Sequence, residues 1–391
     1  MDTQSALISL LKEMIAIPSP SGEEGALVEF LARSCKELGF DELHIDRYGS
    51  LTATMVGTKP GAHLLLDGHI DTVGVEDRPA WKHDPYRAEI ADGLLYGRGT
   101  SDMKGALCAM LLAVSTYAKQ TSHQFGGRIS VSATVCEECF EGIAARLITK
   151  RCNPDVVIVG EATECKLAIG QRGRAEIVLQ TFGKSCHSSN PEQGSNAALH
   201  MMKLLPYLEQ IEEPFHPVLG KGILVLTDLI SSPYPGRSVL PSLCTATFDR
   251  RLVCGETQAS ILASIQEVIG RAKQKDPALE AKVFLAEGSM HCYTGEEISA
   301  VRFFPAWLLE PDHPVVRTGR KALREADLPD ELSHYSFCTN ASHFCAEAGI
   351  PTLGFGPSFE RLAHVADEHI SVEHLRLAYR GYLSLLSHFC P

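Results

Sequence analysis

Two short apolar runs, AHLLLD at 62–67 and DVVIVG at 155–160, set the tightest limit on what this chain can fold into. Both read as buried strands, and such strands need helices over either face to keep water away. The neighbouring periodicities supply them. Residues 2–15, 22–39, 104–119 and 139–150 carry helical spacing, while 43–46, 51–56 and 128–136 read as further strands. Ser21-Gly22-Glu23-Glu24 is a suitable helix start. Strands alternating with helices predict an α/β fold: a mixed, mostly parallel sheet with helices on both faces.

The pattern changes after Gly170. Residues 174–182, 222–232, 238–251 and 279–287 read as strands, with helices over 193–210 and 256–273. This β-α-β-β-α-β order suits a small α+β, ferredoxin-like domain with helices on one face of an antiparallel sheet. From residue 293 onward the α/β character returns, with a helix at 313–327, a strand at 351–355 and a helix at 371–388. The predicted organisation is a larger α/β domain in two parts, 1–174 and 293–391, interrupted by a smaller inserted domain at 175–292. A length of 391 residues accommodates two domains.

Composition removes several function classes. Hydrophobic residues make up 45% of the chain, too many for a disordered protein. The net charge of -12 and the lack of a Lys/Arg-rich run argue against nucleic-acid binding. No apolar run approaches the roughly 20 residues of a membrane-spanning helix. The N-terminal stretch MDTQSALISLLKEMIAIPSP lacks a basic n-region and reads as an amphipathic helix, not a signal peptide. The 13 cysteines are scattered and odd in number, as expected for free thiols in the reducing cytoplasm.

Candidate metal ligands sit where ligands bind in open α/β sheets, at the carboxyl ends of strands. His69 and Asp71 follow the strand 62–67; a carboxylate two residues on can orient the imidazole, although His-x-Asp is common by chance. Asp102 lies in the Gly-rich turn LYGRGTSDMKG, where it can bridge two cations or simply cap the following helix. Glu137 and Glu138 close the strand 128–136. Adjacent carboxylates there can divide the work, one holding an ion and one taking a proton from water, or can be two solvated glutamates. Cys136 and Cys139 flank them as C-x-x-C, but no second Cys pair or nearby His pair completes a zinc cluster. Glu161 follows the strand 155–160, with Glu164 a weaker competitor. His364 sits in a loop after 351–355, and spacing alone does not separate it from Asp367, Glu368 and His369.

Taken in order, the stretches DGHIDTV, YGRGTSDMKG, EE, GEAT, HSSNPEQGSNA and AHVADE resemble the M20 family of metallopeptidases and amidohydrolases. That family includes succinyl-diaminopimelate desuccinylase, acetylornithine deacetylase, aminoacylases and glutamate carboxypeptidases. The matching stretches extend from 64 to 370. EEC-x-x-G, HPVLGKG and FDRRL are most similar to its YgeY-like, selenium-metabolism-linked hydrolase branch.

The resemblance implies two divalent metal ions, zinc by donor chemistry, with cobalt or manganese also compatible. His69, Asp102 and Glu161 would hold one ion. Glu138, Asp102 and His364 would hold the other, with Asp102 bridging. Asp71 would orient His69, and Glu137 would be the general base. It also implies a homodimer through the inserted domain, in which His187 reaches the partner's site and stabilises the oxyanion. Arg250 would hold a substrate carboxylate, with Arg251 and Arg237 competing for that role. Asn340 and Gly356 complete the expected substrate contacts, although CTNASHF has Asn340 where the family usually carries Asp. The expected activity is hydrolysis of an amide bond in a small N-acyl or N-carbamoyl amino acid. The alternatives are a dipeptidase or carboxypeptidase on the same centre and a catalytically silent binding protein. No membrane or nucleic-acid partner is expected.

Overall fold

The computed structural model describes residues 2–391, so residue 1 of the stretch MDTQSALISLLKEMIAIPSP lies outside the described residues. Lys59–His69 is the organising strand of the larger sheet. It pairs parallel with Gly126–Thr134 on one side and with Val156–Val159 on the other. Across the sheet the strands run Glu42–Ile45, Leu51–Val56, Gly126–Thr134, Lys59–His69, Val156–Val159, Thr352–Gly354, Leu167–Gln171 and Trp307–Leu308. Leu332–Tyr335 pairs in parallel with Leu167–Gln171.

Alternation along Lys59–His69 explains why helices cover both faces. Leu65 packs with Val157, Val159, Ala145, Ile148, Ala341 and Phe344 on one side. Leu64 and Leu66 point to the opposite face by strand periodicity and are equally buried. The helix Gly105–Thr121 is buried almost all round, as a helix packed on both a sheet and other helices must be. Thr3–Ile15 and Val372–Phe389 pack on it.

The chain divides into two units. One runs to Gln171 and resumes over Ser289–Ser299 and Trp307–Pro391. The other comprises Arg172–Gly288 and Ala300–Ala306. The return to the larger unit is therefore split, because Phe303–Phe304 adds a short strand to Gly173–Phe182 in the smaller unit. The smaller unit is antiparallel, with strands ordered Ile223–Ser232, Leu243–Leu252, Gly173–Phe182 and Glu280–Leu285. Its helices Ala197–Leu208 and Gln258–Lys275 bury Met201, Leu204, Ile261, Ile265 and Val268 against that sheet.

Two local expectations shift. The strand predicted to reach residue 136 ends at Thr134, and the helix predicted from 139 begins only at Ala145. Between them the backbone turns, with Cys136 at φ 56 and Gly142 at φ 81. Helical periodicity cannot detect such a turn, because hydrogen bonds from distant residues hold it. Three short strands, Leu167–Gln171, Trp307–Leu308 and Leu332–Tyr335, were not legible as periodic segments. No helix among the described residues is long and apolar enough to cross a membrane.

Candidate metal centre

Parallel pairing brings three strand ends to one edge of the sheet. His69 lies opposite Thr134, and Asp67 lies opposite Val159. Glu137 and Glu138 follow Thr134 by three and four residues, and Glu161 follows Val159 by two. Three predicted ligand segments therefore converge without any long-range coincidence.

Asp102 arrives from a loop whose entry requires glycine. Gly99 adopts φ +86, and a Cβ there would meet Thr72 Cγ2 at 2.9 Å. Asp102 does not cap the following helix, because Lys104 is the N-cap residue and no side chain caps it. Its carboxylate instead faces two imidazoles. Oδ1 is 2.8 Å from His69 Nε2, and Oδ2 is 3.1 Å from His364 Nε2. His364 Nε2 is also 2.9 Å from Glu138 Oε2, and His69 Nε2 is 3.4 Å from Glu161 Oε1. The structure thus brings together all five predicted ligands as two half-sites sharing Asp102. Donor atoms of His69, Glu137 and Glu161 lie within 4.8 Å of one another, as do those of His69, Asp102 and Glu138.

Electrostatics follows from the packing. Burial pushes Glu137 well above the usual carboxylate range. Burial, helped by the charge of Asp102, raises Glu138 to about 7 and also raises Glu161. Burial would also raise Asp102, but hydrogen bonds from His364 and His69 outweigh it and hold that carboxyl below its usual range. Asp102 and Glu138 lift His364 to about 10. Burial alone would depress His69; the nearby carboxylates of Asp102, Asp71 and Glu161 reverse that and hold it well above its usual value.

Divalent cations fit these residues. Four carboxylates, Asp102, Glu137, Glu138 and Glu161, share this centre with two imidazoles, and the burial that raises Glu137, Glu138 and Glu161 is the cost of ionising them without a cation. Glu137 Oε1 and Glu138 Oε1 are buried with no hydrogen-bond partner among the described residues. Stranding two carboxylate oxygens in this way is costly unless a positive ligand satisfies them. Carboxylates and imidazoles together suit zinc, cobalt or manganese.

The supporting residues depart from the sequence reading. Asp71 was expected to orient His69 through its carboxylate. The closer contact of His69 Nδ1 is the Asp71 backbone carbonyl at 2.9 Å, with the carboxylate at 3.6 Å. That carboxylate accepts the backbone N–H groups of Glu137 and Glu138 at 3.0 and 3.1 Å and the Ser21 hydroxyl at 2.7 Å. Asp71 therefore holds the turn that presents both glutamates. Sequence reasoning missed the role of Glu368. Its fully buried carboxylate accepts N–H groups from Gly99, Ser101 and Asp102 and pairs with Arg98 at 2.7 Å. Its place in AHVADE was the available signal, but burial and partners could not be read from it.

Three expected substrate contacts have partners within the protein itself. The Asn340 side chain is buried, accepting the Gly142 N–H at 2.8 Å and donating to Asp67 at 2.9 Å. It ties the turn after Glu138 to the sheet. Gly356 packs backbone to backbone against the Glu161 segment, where a Cβ would meet Gly160 O at 2.1 Å. Arg250 belongs to the smaller unit and points to its helix-covered face, as the alternating burial of Cys244, Ala246, Phe248, Arg250 and Leu252 dictates. Its guanidinium is 2.7 Å from Glu213 and 2.6 Å from Glu256, two carboxylates of the same unit. Of its competitors, Arg251 pairs with Asp249 at 2.9 Å and Arg237 is exposed. His187, also in the smaller unit, is exposed, with Nδ1 2.7 Å from the Ser189 hydroxyl.

Comparison with known proteins agrees with this geometry. Residues 65–388 match Peptidase family M20/M25/M40. The uncharacterised protein YgeY of Escherichia coli K12 is 32% identical over 382 residues, covering 96% of this chain and 92% of that protein. Succinyl-diaminopimelate desuccinylase 2 of a Ruegeria species is 30% identical, covering 97% of this chain and 94% of the relative. Aminopeptidase PepT of Bacillus cereus shares the fold with a TM-score of 0.76 at 18% identity, covering 99% of both chains. So does Bacillus subtilis YxeP, described as a dinuclear metal binding peptidase, with a TM-score of 0.72 at 11% identity and 98% coverage of each chain. The chain belongs to peptidase family M20/M25/M40 and is a hydrolase of amide or peptide bonds.

Proposed function

We propose that this enzyme holds two divalent cations, zinc in the first instance, and hydrolyses the amide bond of a small N-acyl or N-carbamoyl amino acid. The observation that carries this reading is the Asp102 carboxylate, which turns one oxygen to His69 and the other to His364. His69, Asp102 and Glu161 would hold one cation, and His364, Asp102 and Glu138 the other. Bound there, the cations supply Lewis acidity for attack of water on a carbonyl.

Glu137 takes the proton from the attacking water and delivers it to the leaving nitrogen. Its buried, unpartnered Oε1 and its raised proton affinity suit both halves of that transfer. Asp71 fixes the backbone from which Glu137 projects. His187 keeps the role the resemblance implies, an oxyanion donor supplied by a second copy. A homodimer is supported by the edge strand Ile223–Ser232, which exposes Val225, Leu226, Leu229 and Ile230. A long apolar edge of this kind invites pairing unless a partner covers it. We place the enzyme in the cytoplasm, where 13 scattered thiols would stay reduced.

The test is turnover of zinc-, cobalt- and manganese-loaded enzyme on N-acyl amino acids, N-carbamoyl amino acids and dipeptides. Glu137→Gln should lower turnover by about 10²–10⁴-fold while still binding metal. Equal turnover by the variant would remove Glu137 as the base. A preference for dipeptides would assign the enzyme to the peptidases instead.

A further inference from the structure

The Cys136 sulfur lies 3.8 Å from that of Cys292. The two residues are 156 positions apart in sequence, and both are buried within the larger unit. We propose that Cys136 and Cys292 are a site of reversible disulfide formation by a hydroperoxide, and that the bond slows amide hydrolysis. The second half rests on the function proposed above.

Both ends are held. The Cys136 N–H donates to Glu24 Oε1 at 3.1 Å, and its thiol is 3.5 Å from the same oxygen. Beside Cys292, the Tyr293 hydroxyl donates to Gly49 O at 3.1 Å and the Thr294 hydroxyl to Arg47 O at 2.8 Å. The thiols are thus kept in contact by two separately anchored segments.

An S–S bond is about 2.05 Å long, so the sulfurs must approach by about 1.8 Å. Cys136 leads directly into Glu137, whose N–H is fixed on Asp71. Drawing Cys136 toward Cys292 pulls on the turn that presents the base. A displacement on the order of 1 Å can cost about 10²-fold in rate.

The chemistry balances with hydrogen peroxide as the oxidant. One sulfur attacks a peroxide oxygen, the O–O bond breaks, and a sulfenic acid and one water form. The second sulfur then attacks the sulfenic sulfur, the S–S bond forms and a second water leaves. The two thiol protons depart in those waters. The sulfurs lose two electrons and the peroxide gains them. Hydrogen peroxide is close to water in size, and of the two residues Cys292 is the less buried, at 3% exposure against 0% for Cys136.

The experiment treats reduced, metal-loaded enzyme with hydrogen peroxide and maps its peptides without reduction. A cross-link between the Cys136 and Cys292 peptides is expected, with amide turnover falling about tenfold or more and returning with dithiothreitol. Cys292→Ser should keep its basal turnover and lose both responses. A Cys136–Cys139 cross-link, or sulfinic acid without a cross-link, would overturn the assignment. A Cys136–Cys292 cross-link with unchanged turnover would overturn the control of hydrolysis. If reduced enzyme hydrolyses no amide tested, the functional reading fails on its own, and the peptide map still decides the cross-link.

Discussion

Glu368 Oε1 accepts the backbone N–H of Asp102 at 3.1 Å, so the residue that joins the two half-sites hangs from a carboxylate far away in sequence. Glu368 holds the N–H groups of Gly99 and Ser101 as well, and Arg98 balances its charge. Removing an outer partner of a metal ligand commonly costs about 10–100-fold in affinity. Glu368→Ala should weaken metal binding by that factor, read by competition with a chromophoric chelator. Glu368→Gln, which keeps an acceptor oxygen, should fall between the variant and the native protein. Unchanged affinity in Glu368→Ala would mean the loop holds Asp102 unaided.

Arg250 separates a structural from a substrate-binding role. Its side chain is 3% exposed and pairs with two carboxylates. Breaking a buried ion pair from one side costs about 3–5 kcal/mol, because the partner charges stay buried. Arg250→Met should lower the melting temperature strongly while leaving KM within about twofold at a permissive temperature. A large rise in KM without loss of stability would restore it as a substrate contact.

Metal removal should act on the unit that owns the ligands. A cation that binds only the folded state at a free concentration 100 times its Kd contributes about 2.7 kcal/mol. All five candidate ligands lie in the unit that includes Trp307–Pro391. Chelation should therefore lower the calorimetric transition of that unit, and added zinc should restore it. A transition indifferent to chelator would argue against cations at this centre.

Glu347 supplies a pH signature away from the centre. Burial would raise its carboxyl, but hydrogen bonds from His343 and Arg146 outweigh it and lower it to about 2. A depressed folded-state value stabilises the fold above the ordinary carboxylate range, and that contribution is lost as pH falls toward 2. Glu347→Gln should lower the melting temperature by about 1–3 °C at pH 7. The gap from the native protein should close as pH drops below about 4. A gap that is constant with pH would show that the carboxylate charge does not matter.

Legibility in the sequence tracked how local each cause was. Leu51–Val56 forms over the predicted residues because alternation and turn residues are properties of neighbours. His69, Asp102, Glu138, Glu161 and His364 could be nominated because each is a metal-competent side chain at a predicted strand end or in a Gly-rich or following loop. The pairing of Arg250 with Glu213 and Glu256 could not be read, because the face a strand residue takes depends on which side the helices cover.

The sequence by itself determined the periodicities, and with them two kinds of sheet, the order of the elements and the donor types at the strand ends. Tertiary structure decided which of those donors meet. It turned the Asp71 carboxylate to the Glu137–Glu138 backbone, buried Glu368 beneath the Asp102 loop and set Cys292 against Cys136. The physical reason is that hydrogen bonds and sulfur contacts are satisfied by proximity in space. Proximity between residues 71 and 137, 102 and 368, or 136 and 292 exists only after the sheet has assembled.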